Sequence, residues 1–179
     1  EASPVRMNEK ETVPGIYAQY TFNLDHRLTA MAGIRADHSS VYGTFVTPRL
    51  HLKYMPNDIL TLRLSAGKGY RTPHALAENN YLLASGRRLV IDDLEQEEEA
   101  WNYGASAALN IPLLGETLKL NAEYYYTRFT AQAVTDYDTN PGVIHIGNLN
   151  GKSYSHTLQI DATYPIFKGM TLTAADRLN

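Results

Sequence analysis

A period of two runs through most of this sequence, and it leaves few folds open. In the stretch EAWNYGASAALNI (99–111), Trp101, Tyr103, Ala105, Ala107, Leu109 and Ile111 alternate with Asn102, Gly104, Ser106, Ala108 and Asn110. Successive side chains of a strand point to opposite faces, so this stretch is a strand with one apolar and one polar face. The same alternation recurs in Ile16–Phe22, Leu28–Ile34, Val46–Tyr54, Leu60–Ala66, Leu118–Tyr126 and Tyr154–Tyr164, and Met170–Asn179 begins an eighth strand. Two architectures use such strands. In a soluble sandwich or lipocalin-like binder the apolar face turns inward. In a transmembrane barrel it turns outward to lipid, and the polar face lines the inside.

The connections and the aromatics favour the barrel. LDHR (24–27), PND (56–58), IPLLGE (111–116) and PIFKG (165–169) read as short turns. HSSVYG (38–43) and the stretches at about 70–98 and 136–152 read as longer connections. Alternating short and long connections are the layout of outer-membrane barrels, with tight periplasmic turns and long external loops. The chain holds 13 Tyr against 4 Phe and 1 Trp, and amphipathic rings suit a membrane–water boundary. Phe22, Tyr54 and Tyr164 lie on apolar faces beside short turns. Trp101, Tyr103, Tyr124, Tyr126 and Tyr154 lie on apolar faces toward the long connections. Aliphatic residues fill the band between, as a bilayer requires. One long connection has a helix signal, in which Thr72-Pro73 fits an N-cap followed by proline and HALAENNYLLAS (74–85) continues it.

The expected fold is therefore all-β, an antiparallel up-and-down transmembrane β-barrel. If the short turns are periplasmic, the first strand descends from the outer side and the eighth returns to it. Eight such strands then read as part of a larger barrel of about 22, with residues 1–179 part of one barrel domain. Arg35, Arg49, His51, Lys53, Arg63, Asn102, Lys119, Glu123, Gln159 and Asp161 are expected to face the lumen. Charges there need water or partner side chains, because a bare charge in an apolar place is costly.

Other classes are disfavoured. A net charge of −3 carries no nucleic-acid signal. The absence of cysteine removes disulfide frameworks and cysteine metal sites. No apolar run approaches the roughly 18 residues of a membrane helix, and EASPVRMNEKE (1–11) lacks the apolar core of a signal peptide. Two alternatives stay open: an autonomous eight-stranded outer-membrane adhesin or hydrolase, and a soluble β-sandwich or lipocalin-like binder.

Three segments, in order, resemble the TonB-dependent outer-membrane receptors, especially those of the Bacteroidetes type. GKGYRTPHALAEN (67–79) is similar to the family's strand-to-loop pattern, carried by Gly69, Tyr70, Arg71, Thr72, Pro73 and Glu78. LEQEEEAWNYG (94–104) is similar to the next, with Glu97 or Glu99 preceding Tyr103 and Gly104. Residues 147–179 resemble the family's Asn-Gly strand and hairpin, although His156-Thr157-Leu158-Gln159 stands where Gly-x-Glu is frequent. The resemblance implies a non-enzymatic barrel segment of a receptor that actively imports a siderophore, cobalamin, peptide or glycan. It implies an outer-membrane location, a plug domain inside the barrel, and energy delivered by TonB with ExbB and ExbD. Plug and TonB-binding segment are both absent from these residues, so they are not expected to transport alone.

Ligand contact is expected from the external connections: Arg71, His74, Arg87 and Arg88 for an anionic ligand, with Tyr81, Tyr137 and Asn148 beside them. Asp138, Asn140 and Asn148–Asn150 also suit turns. Asp92, Asp93, Glu95, Glu97, Glu98 and Glu99 form an acidic run. Calcium favours clustered carboxylates, but the EF-hand spacing is absent and a solvated run is the simpler reading. His26, His38, His51, His74, His145 and His156 show no close metal spacing, and His156 falls on the lipid-facing register. No GxSxG is present. No catalytic residue, metal or cofactor is expected.

Overall fold

The computed structural model describes residues 10–72, 81–82, 86–91, 97–149 and 151–179. It contains eleven strands: β1 (Gly15–Leu24), β2 (Leu28–Ser39), β3 (Gly43–Tyr54), β4 (Leu60–Arg71), β5 (Arg88–Ile91), β6 (Glu98–Leu113), β7 (Glu116–Ala131), β8 (Ala133–Asp136), β9 (Val143–Asn148), β10 (Ser153–Phe167) and β11 (Met170–Leu178). Eight of them form one sheet in the order β1-β2-β3-β4-β6-β7-β10-β11, antiparallel throughout. The other three form a small sheet, β5-β9-β8.

The large sheet is sheared. One rung of paired residues runs Leu24, Leu28, Tyr54, Leu62, Ala107, Ala122, Ile160, Asp176. It starts at the turn end of β1 and finishes well up β11, so the strands tilt across the rung as a closed barrel wall demands. The turns fix the register. Leu114 and Gly115 join β6 to β7 with φ of 51° and 84°, the positive pair that a type I′ hairpin requires. Between β2 and β3 only residues 40–42 intervene. HSSVYG is therefore a tight turn and not the longer connection its composition suggests, because ladder pairing extends through Ser39↔Gly43.

The sheet has no second layer. Among the described residues the buried hydrophobics are Phe45, Leu82, Ile144 and Ile146, and the last three belong to the small sheet's own core. Ile16, Leu50, Leu64 and Ile160 on the apolar face are more than half exposed. A soluble sandwich would bury these positions, and an exposed apolar face of this extent marks a contact with lipid or protein. The sandwich and lipocalin alternatives are therefore set aside. The autonomous eight-stranded barrel needs β1 paired with β11, yet these are the two edges of the sheet.

The helix expected over 72–85 lies largely outside the described residues, and Tyr81-Leu82 form a short 3₁₀ turn. The small sheet was not legible in the sequence. It joins two external connections: β5 lies parallel to β9 in register Arg88↔Val143 to Ile91↔Ile146, and β8 lies antiparallel to β9.

Candidate functional site

The register sets Arg35, Arg49, His51, Lys53, Arg63, Asn102, Lys119, Glu123, Gln159 and Asp161 on one face of the large sheet. Arg35 lies opposite Tyr17 and Thr47, Arg63 opposite Lys53 and Ser106, Glu123 opposite Ser106 and Gln159, and Asp161 opposite Asn121. Basic side chains predominate on β2–β4, where Arg35, Arg49, Lys53 and Arg63 stand with the single carboxylate Asp37, whereas β7 and β10 mix Glu123 and Asp161 with Lys119. Hydrogen bonds tie the strands: Arg49 Nη2 on β3 reaches across Gly33 of β2 to Gln19 Oε1 on β1 (2.8 Å), and between neighbouring strands Asn102 Nδ2 donates to Thr127 Oγ1 (2.7 Å) and Asn121 Nδ2 to Asp161 Oδ2 (2.7 Å). Gly104 lets the Tyr125 ring lie flat on the wall, since a Cβ there would stand 2.8 Å from Tyr125 Cε1.

At the outer end of this face β3 and β4 part company. Their pairing stops at Arg49↔Gly67, beside Pro48, which has no amide N–H to extend the ladder. Beyond the break Tyr70 turns to the polar side and packs against Phe45, the rings tilted by 52° with centroids 3.7 Å apart, and its hydroxyl reaches Asp37. Asp37 is fully buried and is held by Arg35, Nε to Oδ2 2.7 Å. The equally buried Ser39 donates from Oγ to Glu11 Oε1 at 2.6 Å and accepts the amides of Val41 and Tyr42. A cleft of about 820 Å³ opens here, lined by Tyr17, Gln19, Arg35, Thr47, Arg49, Lys68 and Tyr70. Sequence reasoning missed Asp37, although its position two residues after Arg35 on the same face was the available signal. Nothing local foretold that Tyr70 crosses.

The external residues are partly committed to each other. Arg71 is held by Glu98, Nε to Oε2 2.5 Å, and Glu98 Oε1 also accepts the Ala133 amide at 2.9 Å. Lys68 pairs with Glu99 at 2.5 Å. Glu97 is buried with no hydrogen-bond partner on Oε1. Burial, followed by the charges of Glu99 and Glu11, pushes its carboxyl above the usual range. Among the described residues no acidic or histidine group forms a metal cluster. Asp92, Asp93, Glu95 and His74 lie outside the described residues.

Beside the small sheet the Tyr81 and Tyr137 hydroxyls meet at 3.0 Å. That bond, then burial, raises the Tyr137 phenol. Arg88 opens β5 with an exposed side chain, its amide donating to the Gly142 carbonyl at 3.1 Å, and Arg87 precedes it. Asn148 closes β9 opposite Ala133. Asn140 is a turn residue: its side chain accepts the Gly142 amide at 3.0 Å. Asp136 caps the same turn, accepting the amides of Asp138 (2.9 Å) and Thr139 (3.1 Å) and the Thr139 hydroxyl (2.5 Å). These bonds, the hydroxyl's first, lower its carboxyl to about 2. Arg88 thus stands on the small sheet and the Tyr81–Tyr137 pair beside it, Tyr137 directly after β8, whereas Arg71 ends β4 of the wall.

Comparison with known proteins bears on this arrangement. A family model described as TonB dependent receptor-like, beta-barrel matches residues 3–177. No curated protein matches the sequence. Among solved structures, the ferric enterobactin receptor from Pseudomonas aeruginosa in complex with enterobactin superposes with a TM-score of 0.70 at 14% identity, over 92% of this chain and 26% of that one. The siderophore receptor PirA from Pseudomonas aeruginosa gives 0.70 at 15%, over 94% and 34%. The Serratia marcescens hemophore receptor HasR, in complex with its hemophore HasA and heme, gives 0.70 at 16%, over 94% and 34%. At such identities the likeness shows the fold. The chain spans roughly a quarter to a third of the length of these receptors. By the family match and the shared wall, the chain belongs to the TonB-dependent receptor β-barrel family.

Proposed function

We propose that residues 1–179 are part of the single barrel domain of an outer-membrane receptor that imports a nutrient with TonB-coupled energy. The observation that carries this reading is the two-faced wall. One side of an eight-stranded sheared sheet is uncovered and apolar, and the other is polar and carries both basic and acidic side chains. The apolar side meets outer-membrane lipid. The polar side, with Arg35, Arg49, His51, Lys53, Arg63, Asn102, Lys119, Glu123, Gln159 and Asp161, faces the receptor's own plug. Plug side chains then satisfy charges that would be costly to leave bare in a dry lumen.

The small external sheet supplies ligand contact through Arg88, Arg87, Tyr81, Tyr137 and Asn148, with Arg71 and His74 on the approach. Its chemistry suits an anionic or phenol-bearing ligand, and the siderophore and heme receptors that share the fold support that class.

The test is uptake by cells carrying the full-length gene. Accumulation of a ferric siderophore is expected to stop when tonB is deleted, with the receptor still present at the surface. Arg88→Ala combined with Tyr137→Phe is expected to weaken ligand binding about a hundredfold, the loss of one charge-assisted and one neutral hydrogen bond. Uptake that continues without TonB would overturn the reading.

A further inference from the structure

The outward face of β6, β7 and β10 carries a feature that import does not use. These strands are already paired on both sides, so further wall strands add nothing to this face, and the plug lies on the other. Over residues 101–111, 118–128 and 154–164 the outward register is aliphatic or aromatic, with His156 and a single charged residue, Arg128. Arg128 sits directly between Trp101 on one side and Tyr154 on the other. Among the described residues no hydrogen bond or ion pair engages its exposed guanidinium.

One rung below, Tyr126 and His156 are register partners with ring centroids 4.9 Å apart, and Tyr154 meets the His156 ring edge-on at 5.5 Å. The Tyr124 hydroxyl lies 2.6 Å from His156 Nδ1, which leaves the Nε2 edge for another partner. Lys152 precedes Tyr154 by two residues, just outside the strand. The basic groups are framed by rings, and no carboxylate shares the outward register of the three spans.

Depth places this cluster at the outer boundary of the bilayer. From Tyr154 down to the lower aromatic Tyr164 is a ten-residue step along β10, about 34 Å along the strand and about 25 Å along the normal at the usual tilt. That matches the height of an apolar band, and it puts Arg128 and His156 at headgroup level with Leu158, Ile160 and Ala162 below them.

We propose that Arg128, with His156 and Lys152, holds the phosphate of a phosphomonoester-bearing lipid in the outer leaflet, its acyl chains lying down the aliphatic register below. The inference rests on the membrane-spanning reading of the wall. An Arg fork takes two phosphate oxygens together, which a point charge does not. Flanking rings fix its plane and exclude water.

Trp101, the sole tryptophan of this chain, reports on the site. The full-length protein is reconstituted in phosphatidylcholine bilayers, and the Trp101 signal is isolated as the difference from W101F. Quenching by brominated phosphatidic acid is compared with quenching by brominated phosphatidylcholine. The wild type is expected to prefer the phosphomonoester about fivefold. R128A is expected to bring the ratio to about one, and R128K to leave it between. Equal quenching by both lipids in inserted, heat-modifiable wild type overturns the proposal and shows an arginine that only snorkels. So does a preference that survives R128A, or Trp101 shielded from both lipids by a co-purifying protein. Failure of the wild type to insert at all would instead overturn the membrane reading beneath it.

Discussion

Asp136 shows what one carboxylate does in an external turn. It accepts two backbone amides and a hydroxyl, and these bonds favour the ionised form, lowering its carboxyl from 3.8 to about 2. A depressed carboxylate stabilises the folded turn fully above the unfolded value near 3.8, and that contribution is lost as pH falls through about 2. Hydrogen exchange at the Asp138 and Thr139 amides is therefore expected to accelerate as the pH is lowered over that window. The acceleration, after correction for intrinsic exchange, should vanish in Asp136→Asn. At this scale the sequence was a fair guide to residue type and a poor one to partnership. Asp138 and Asn140 were recognisable as turn residues, but the pairing of Arg71 with Glu98 was not. Such pairs depend on a strand neighbour 27 residues away, which no local pattern records.

The small sheet is an element with its own core. Ile144 and Ile146 are almost wholly buried against Leu82, with Leu89 packed beside them. Truncating Ile144 to Ala is expected to cost this unit about 2–5 kcal/mol, enough to open it while the wall stays folded. Limited proteolysis should then cut within 86–91 or 133–148 first, with heat-modifiable migration of the full-length receptor unchanged. Simultaneous loss of both would mean that the sheet and the wall unfold as one. The parallel pairing of RLVI (88–91) with VIHI (143–146) joins segments more than fifty residues apart. Each is too short to show a period, so neither declared itself a strand. The hairpins were easier to read, because LLGE (113–116) carries its turn chemistry in adjacent residues: Leu114 and Gly115 both adopt positive φ.

For the whole molecule the decisive property is that one face of the sheet is apolar and uncovered. Gln159 and Ile160 are adjacent but sit on opposite faces, and Ile160 lies near the middle of the apolar band. Leu158→Arg, on the same face opposite Tyr124 and Leu178 and clear of the Asp176 carboxylate that faces Ile160, is expected to destabilise the full-length receptor by about 2–4 kcal/mol, the cost of a cation on the lipid face near the midplane. Gln159→Arg, beside Glu123, should cost less than about 1 kcal/mol. Urea unfolding from lipid vesicles measures both. Equal penalties would contradict the assignment of the faces.

Alternation is a consequence of covalent geometry, so the sequence by itself determined eight two-faced strands, the side on which Arg63, Glu123 and Asp161 stand, and the aromatic rows at both ends of the apolar face. It also carried, in residues 67–79, 94–104 and 147–179, enough pattern to indicate the family. Only the tertiary structure decided what depends on distant chain meeting in space. It set the shear that carries one rung from Leu24 to Asp176, and the break beside Pro48 that lets Tyr70 cross to Asp37. It also joined two external connections in one sheet and placed Arg128 between Trp101 and Tyr154. These follow from inter-strand register and loop closure, and their determinants are spread over residues that the sequence keeps far apart.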